Sequence, residues 1–269
     1  MFGYKVLEVI GHGAASTIYR VADRAGRIFA LKHVVKRSEA DDRFLHQLQN
    51  EYDVSQKFRH HALRKAVDWK VPRRFFSNKF DEAALVLEWI DGTPLDQSAP
   101  RDPATLVPIF VQAGAALASM HRLQLVHCDF KPNNVLRCHG EKVKVIDFGQ
   151  TCKIGYGKNR VQGTPDFIAP EQVKCLPVDE RTDIYSFGAS LYWALTGKKA
   201  PTYFTVEKAR HDVVKFQEFP SPTELNGAIP AELSKLVMQC LMYNPQGRPA
   251  EMLEVLNALS SSLIAAPRA

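Results

Sequence analysis

Residues 127 to 149 constrain this 269-residue chain more than any other segment. They read His-Cys-Asp-Phe-Lys-Pro-Asn-Asn, then two short apolar runs separated by a turn, the second of which ends in Asp-Phe-Gly. Two paired strands would place Asp129, Lys131, Asn134 and Asp147 in one loop and its neighbour. A carboxylate that can receive a proton, a lysine cation and two hard oxygen ligands for magnesium are the groups that phosphoryl transfer requires.

A glycine-rich segment near the start predicts a phosphate-binding hairpin. Gly11 and Gly13 lack Cβ atoms, so backbone N–H groups can approach phosphates there, although a plain tight turn would use the same glycines. Lys32 follows in an apolar strand, where a buried ammonium needs an anionic partner. Glu51, in the predicted helix that follows, can supply that partner.

In this order and spacing the chain resembles the protein kinase family. Further matches are Gly-Thr-Pro-Asp at 163–166, Ala-Pro-Glu ending at Glu171, Asp183 before Ile-Tyr-Ser-Phe-Gly, and Arg248 in Gln-Gly-Arg-Pro. Because Lys131 stands two residues after Asp129, the resemblance is to Ser/Thr-directed members, and the compact frame is typical of bacterial ones. The resemblance implies a signalling enzyme that transfers the γ-phosphoryl group of Mg-ATP to a protein hydroxyl.

The resemblance also assigns a role to each residue. Asp129 would receive the proton of the acceptor hydroxyl, and Lys131 would neutralise the moving phosphate. Lys32, paired with Glu51, would anchor the α- and β-phosphates. The predicted magnesium ligands are Asn134 and Asp147. The predicted nucleotide contacts are Gly11, Gly13, Ser16 in place of the third glycine, Ile18, Ala30, Lys32, Glu88, Ile90 and Leu136, with Leu87 behind the adenine.

Three structural interactions are implied in the same way. Thr164 should hydrogen-bond near Asp129 and Lys131. Glu171 and Arg248 should form an ion pair. Asp183 should accept backbone N–H bonds from the loop around His127.

The expected fold class is α+β: a bilobal, protein-kinase-like fold with a small β-rich lobe, residues 1–90, and a larger mainly α lobe, residues 91–269. Residue patterns predict strands at Tyr4–Ile10, Thr17–Ala22, Arg27–Val34, Ala66–Val71 and Ala83–Glu88. They predict helices at Asp41–Phe58, Ala104–Leu123, Thr182–Thr196, Glu232–Met242 and Pro249–Leu263.

Besides Ser16, two positions depart from the family pattern. Ser55, four residues after Glu51, replaces the usual apolar residue that packs on the Phe of Asp-Phe-Gly, so Phe148 is expected to meet a partly polar neighbour. Cys128 replaces the arginine that in many members binds a phosphate on the activation loop. The chain is thus of the non-RD type, and we expect activity without phosphorylation of that loop. Cys128 as a redox nucleophile is the competing interpretation, against which a buried thiol resists ionisation.

Composition excludes several other classes. A net charge of +6 is carried without a basic stripe interleaved with aromatic residues, which argues against nucleic acid as a partner. Five cysteines in no Cys-x-x-Cys pair argue against structural zinc and a disulfide framework, so we expect a cytoplasmic protein. We also expect the catalytic domain to be a monomer. The histidines His33, His60, His61 and His139 show no zinc-like spacing. We expect no membrane-spanning segment, because no apolar run approaches about 18 residues.

Some alternatives remain open. A small-molecule kinase would share the Asp, Asn and Asp-Phe-Gly chemistry, and a non-catalytic binding module would keep the fold alone. A basic window comprises Arg59, Arg64, Lys65, Lys70, Arg73, Arg74 and Lys79, and could meet an acidic partner. The segment between Gly197 and Pro222, with Pro201, Tyr203 and Phe204, could be a docking surface or a loop that covers the large lobe.

Overall fold

The computed structural model describes residues 1–13, 15–72, 81–202 and 219–264. Arg73, Arg74 and Lys79 of the basic window, and Tyr203 and Phe204 of the proposed docking segment, lie outside the described residues. Internal contacts divide the chain into two compact units. The first comprises Met1–Arg59, Leu63–Asp91 and Asp147–Gly149, and the second comprises His60–Ala62, Gly92–Ile146 and Gln150–Ala269.

The first unit is an antiparallel sheet with a helix. Its strands are β1 (Lys5–His12), β2 (Ser16–Ala22), β3 (Ile28–Val35), β4 (Ala66–Lys70) and β5 (Glu82–Glu88), in the order β1-β2-β3-β5-β4. Helix α1 (Asp42–Ser55) lies between β3 and β4 in the chain. It ends three residues earlier than predicted, so Phe58 lies beyond the helix.

The central strands of this sheet bury both faces. Ala30 of β3 packs with Leu85 and Leu87 of β5 and with the buried face of α1. The next residue, Leu31, packs in a second cluster with Val86. Because successive side chains of a strand point to opposite faces, β3 and β5 contribute to both clusters, which explains their almost uninterrupted apolar sequences.

The second unit is mainly helical. Its helices are α2 (Leu95–Ser98), α3 (Pro103–His121), α4 (Pro170–Val173), α5 (Glu180–Thr196), α6 (Pro222–Leu225), α7 (Ala231–Cys240) and α8 (Met252–Ile264). Its short strands are β6 (Gly92–Pro94), β7 (Leu125–Val126), β8 (Val135–Cys138), β9 (Val143–Val145) and β10 (Cys152–Lys153), which pair as β6-β8-β9 and β10-β7. The predicted α+β class is therefore confirmed, with element ends that differ by a few residues.

Helix α3 begins with a capped turn and runs through the core of the second unit. The Asp102 carboxylate accepts a hydrogen bond from the Thr105 amide, and Pro103 occupies the first helical position, where its missing N–H costs nothing. Among the described residues, α3 alone is long and apolar enough to cross a bilayer by length and composition. This helix was predicted from the sequence as Ala104–Leu123, although small and polar residues interrupt its apolar ones. Half of its most apolar window is buried, as expected of a core helix.

Helix α5 is almost completely buried and approaches α7 closely. A Cβ atom at Gly188 would lie 2.5 Å from the Cβ of Cys240, so glycine sets the distance between the two helices. The helix ends at Gly197, whose φ of 73° is the left-handed conformation common after a helix C-terminus.

The basic window is not one exposed surface within the described chain. Arg64 is buried, with an exposed fraction of 8%. Lys70 pairs with Asp68 on the same strand. Arg64 is therefore not accessible to the acidic partner that was suggested for this window.

Candidate active site

The first unit contains a buried cluster of one cation and two carboxylates. The Nζ of Lys32 lies 2.8 Å from Oε2 of Glu51 and 2.9 Å from Oδ1 of Asp147. The Glu51 side chain is 1% exposed, whereas that of Asp147 is 42% exposed. Burial alone would lower the pKa of Lys32, but the charges of Asp147 and Glu51 outweigh it and raise the pKa above its ordinary value. Lys32 therefore stays charged, and the more exposed Asp147 is the carboxylate available to a ligand.

The strand register explains why Lys32 is at this place. Lys32 pairs with Ile18 of β2 on one side and with Leu85 of β5 on the other. The neighbouring position Ala30 pairs with Leu87. The aliphatic stem of Lys32 therefore lies on the central strand of the sheet, where its ammonium needs the carboxylate from α1.

The glycine-rich segment forms the turn between β1 and β2. Gly11 lies in β1, and the amide of Gly13 donates to the carbonyl of Ser16 at 2.7 Å. Ser16 begins β2, and Ile18, two residues later, packs against the cluster around Ala30. The sequence prediction of a hairpin here is correct, with Ser16 at the start of the returning strand.

Arg64 occupies a position that the sequence analysis did not anticipate. Its Nε donates to the carbonyl of Glu88 at 3.1 Å, and the Glu88 carboxylate accepts the amide of Lys65 at 3.1 Å. Burial lowers the pKa of Arg64, while the carboxylates of Glu51 and Glu88 oppose that effect. The end of β5, where Glu88 and the half-buried Ile90 were predicted to meet a nucleotide, is thus held by a buried guanidinium.

The Phe of Asp-Phe-Gly packs on an aromatic ring. The rings of Phe148 and Phe58 meet edge to face with centroids 4.8 Å apart. Ser55 donates its hydroxyl to the carbonyl of Glu51 at 2.5 Å, so the helix itself satisfies the polar group. The sequence analysis recognised Ser55 but missed Phe58. The signal that could have revealed it is the aromatic residue at the end of the predicted helix Asp41–Phe58.

In the second unit, three polar side chains form a closed hydrogen-bonded triangle. Lys131 donates from Nζ to Oδ2 of Asp129 at 2.9 Å and to Oγ1 of Thr164 at 2.6 Å. Thr164 donates its hydroxyl to Oδ1 of Asp129 at 2.8 Å. Both carboxylate oxygens of Asp129 are therefore oriented, and the predicted position of Thr164 is correct.

Asn134 completes this loop from the turn that follows. Its Nδ2 donates to the backbone carbonyl of Asp129 at 3.0 Å, which leaves its Oδ1 as the atom suited to a cation. Leu136, two residues later, is buried on β8 and pairs with Pro94 of β6. The structure thus brings Asp129, Lys131 and Asn134 together within the second unit.

Asp183 fixes the backbone just before Asp129. Its carboxylate accepts the amides of His127 and Cys128 at 2.8 and 2.9 Å, and it also contacts Nε2 of His121 at 2.8 Å. Burial would raise the pKa of Asp183, but these partners lower it below the ordinary value. Cys128 is held at a φ of 65°, a left-handed conformation that is unfavourable for a side chain with a Cβ. The predicted anchoring role of Asp183 is correct.

Glu171 and Arg248 form the predicted ion pair. Two parallel contacts join them, Nη1 to Oε1 at 2.8 Å and Nη2 to Oε2 at 3.0 Å. The guanidinium also lies over the ring of Tyr185, 4.8 Å from its centroid. This bidentate geometry is specific to arginine.

A sequence comparison identifies the family to which this arrangement belongs. The model for the protein kinase domain matches residues 4–260. The chain belongs to the protein kinase domain family. The motif-based expectation is therefore confirmed.

Three curated relatives are bacterial proteins. A probable serine/threonine-protein kinase of Clostridium acetobutylicum is 28% identical over 272 residues, which cover 96% of this chain and 39% of the relative. The serine/threonine-protein kinase PknL of Mycobacterium tuberculosis is 29% identical over 276 residues, 97% of this chain and 66% of the relative. The serine/threonine-protein kinase PknB of the same species is 27% identical over 261 residues, 91% of this chain and 40% of the relative. The chain thus spans less than two thirds of the length of these relatives.

Proposed function

We propose that this chain is a serine/threonine-protein kinase that transfers the γ-phosphoryl group of Mg-ATP to a Ser or Thr hydroxyl of a protein. The observation that carries the proposal is the triangle of Asp129, Lys131 and Thr164. The names of the curated relatives support the same activity.

Asp129 is suited to receive the proton of an acceptor hydroxyl. Its side chain is 11% exposed, and each carboxylate oxygen already accepts one hydrogen bond. Each oxygen keeps a further lone pair, so an incoming hydroxyl can donate to it in a fixed direction. The Lys131 ammonium, bonded to both Asp129 and Thr164, supplies a positive charge for the transferred phosphoryl group.

The donor set fits ATP with magnesium. Asp147 offers a half-exposed carboxylate. The hydrogen bond of Asn134 to the Asp129 carbonyl uses Nδ2 and not Oδ1. Both side chains therefore present the hard oxygen atoms that Mg²⁺ prefers. Lys32, charged and held between two carboxylates, would bind the α- and β-phosphates. When bound, the metal would neutralise part of the charge of the phosphates.

We further propose that basal activity does not require phosphorylation of the activation loop. Between Asp147 and Gly163 the hydroxyl residues are Thr151 and Tyr156. Thr151 is 3% exposed, so a modifying enzyme cannot reach it in this conformation, and only Tyr156 is exposed. Cys128 cannot pair with a phosphate as an arginine would. If phosphatase treatment abolished activity by removing a phosphate from Thr151 or Tyr156, this part of the proposal would be contradicted.

A radiolabel transfer assay tests the activity directly. The chain is incubated with Mg-ATP and a generic basic protein, and the product is hydrolysed to identify the phosphoamino acid. We expect phosphoserine or phosphothreonine from the unmodified chain and from Asp53→Asn, an exposed surface control, but none from Asp129→Asn or Asp147→Ala. Equal transfer by Asp147→Ala would show that this site does not catalyse, and the binding-module interpretation would replace ours. Transfer to small hydroxyl compounds alone would favour the small-molecule kinase.

We also propose that the chain acts as a cytoplasmic monomer, with no nucleic acid partner. All five cysteines are thiols in the structure, which suits a reducing compartment. Cell fractionation and light scattering of the purified chain would test location and oligomeric state. Recovery in the culture medium, or a stable dimer at micromolar concentration, would contradict it.

A further inference from the structure

Two cysteines of the second unit lie in contact at the point where the catalytic loop begins. The Sγ atoms of Cys128 and Cys152 are 3.5 Å apart. Cys152 begins β10 and pairs with Val126 of β7, two residues before Cys128. A disulfide has an S–S length of about 2.05 Å, so a covalent bond needs the sulfurs to approach by about 1.5 Å, which small side-chain rotations can supply.

The surroundings of the two thiols are mostly apolar, with one nearby cation. Val126 and Val178 pack on Cys128, and Ile154 packs against the same cluster. Lys158 is held close by two hydrogen bonds from its Nζ to Gln150, to the carbonyl at 2.6 Å and to Oε1 at 3.0 Å. Cys128 is 1% exposed, whereas Cys152 is partly exposed. A small oxidant can therefore reach Cys152 first.

The two thiols differ in acidity in a way that suits this order. The hydrogen bond between them raises the pKa of Cys128, with burial acting in the same direction. The same hydrogen bond lowers the pKa of Cys152, with the charge of Lys158 adding to it against burial. Cys152 is therefore the thiol that ionises, and Cys128 is the thiol that keeps its proton beside it.

We propose that Cys128 and Cys152 form a reversible dithiol–disulfide pair that a peroxide oxidises. The Cys152 thiolate attacks one peroxide oxygen, the O–O bond breaks, and a sulfenic acid and a hydroxide form; the hydroxide takes up from solvent the proton that Cys152 lost on ionising and becomes the first water. Cys128 then attacks the sulfenic sulfur, the S–O bond breaks, and the released hydroxide takes the Cys128 proton to give a second water. The two sulfurs lose two electrons in total, and one peroxide becomes two waters. A small dithiol restores both thiols by exchange.

The disulfide would close a ring from residue 128 to residue 152, which contains Asp129, Lys131, Asn134 and Asp147. The backbone of Cys128 cannot easily move, because Asp183 accepts its amide at 2.9 Å and Gln172 donates to its carbonyl at 2.8 Å. We therefore expect disulfide formation to displace Cys152, together with the segment between Gly149 and Cys152.

The expected consequence for turnover rests on the proposed kinase function. A displacement of about 1 Å in a catalytic constellation can cost up to about 100-fold in rate, so we expect oxidation to lower kcat at least tenfold. The loss should disappear when a dithiol reduces the bond.

The first experiment measures the bond itself, independently of activity. The purified chain is treated with hydrogen peroxide, digested without reduction and examined by mass spectrometry. We expect the peptides of Cys128 and Cys152 to be linked with the loss of two hydrogens, and the link to vanish in dithiothreitol. Cys175→Ser, a matched change at another partly buried thiol, should leave the link intact. In Cys128→Ser, dimedone should trap a sulfenic acid at Cys152.

The second experiment measures turnover before and after peroxide in the unmodified chain, in Cys175→Ser and in Cys152→Ser. We expect reversible loss in the first two and retention in the third. A link to another cysteine, sulfinic acid at Cys152 without a link, or no oxidation would overturn the proposal. If peroxide lowered turnover equally in Cys152→Ser, the proposal that the disulfide controls turnover would be overturned. If the chain formed the Cys128–Cys152 disulfide but showed no phosphoryl transfer under any condition, the proposed kinase function would be refuted and the disulfide proposal would be retained.

Discussion

The substitution Arg248→Met should destabilise the second unit more than any change at its surface. Nε of Arg248 donates to the carbonyl of Met242 at 2.7 Å, and each Nη group donates both to Glu171 and to a further backbone carbonyl. All five guanidinium donors are therefore used, and the side chain is fully buried. Methionine fills similar volume but leaves the Glu171 carboxylate with the Thr182 hydroxyl at 2.8 Å and no cation.

The magnitude follows from this uncompensated charge. Removing one partner of a buried ion pair costs about 3–5 kcal/mol, so Arg248→Met should lower the free energy of unfolding by that amount. Glu171→Gln leaves the buried Arg248 cation without its counter-ion, but that cation keeps three backbone carbonyls as acceptors, so we expect a smaller cost of about 1.5–3 kcal/mol. The double variant should cost less than the sum of the two, with a coupling free energy of about 1–3 kcal/mol.

Urea unfolding followed by the fluorescence of Trp193 measures these values. Trp193 lies in α5 of the second unit, so substituting Trp69 and Trp89 by phenylalanine makes the signal specific to that unit. Arg248→Lys is the matched control: it keeps the charge but has fewer donors and should fall between the unmodified chain and the methionine variant. A loss below about 1 kcal/mol for Arg248→Met, or strict additivity in the double variant, would refute the reasoning.

Three further outcomes are expected. Phe58→Ala removes the ring against Phe148 and should lower the free energy of unfolding by about 3–5 kcal/mol, measured by denaturation against the milder Phe58→Leu; equal stability of both variants would contradict the aromatic contact. Thr164→Val removes the hydroxyl that orients Asp129 and should lower kcat about tenfold with little change in KM for ATP, measured by steady-state kinetics; an effect on KM alone would argue against that role. Asp183 has a lowered pKa, so its contribution is present above its unfolded pKa and is lost as pH falls through the folded one. Asp183→Asn should therefore be less stable at pH 7 and show a shallower loss below about pH 4 in acid titrations, and a slope equal to that of the unmodified chain would contradict the assignment.

Much of the fold follows from local pattern in the sequence. The alternation of β3 and β5 between two buried clusters, and the capping signals of α3, depend on residues that are neighbours in the chain. The motif around Asp129 likewise predicted a loop that carries Lys131 and Asn134, and the structure places these three residues together. Predictions of this kind succeed because secondary structure and loop motifs are encoded within short windows.

The contacts that the sequence analysis missed join residues distant in the chain. Phe58 meets Phe148, and the Sγ atoms of Cys128 and Cys152 meet through the pairing of β7 with β10. Arg64 appeared to be surface charge because its neighbours Lys65 and Lys70 are basic, yet the fold buries it. Pairing of this kind depends on tertiary packing, which no window of the sequence contains.

The hydrogen bonds of the Asp183 carboxylate determine when the loop that carries Asp129 becomes ordered. Two consecutive amides, one of them on a residue with positive φ, are bound by a side chain that belongs to the buried helix α5. The loop that carries Asp129 is therefore ordered when the helical core forms, before any ligand arrives. Its entropy is lost during folding and not in each catalytic cycle. Heat should consequently abolish turnover together with the core of the second unit, not through earlier melting of the loop.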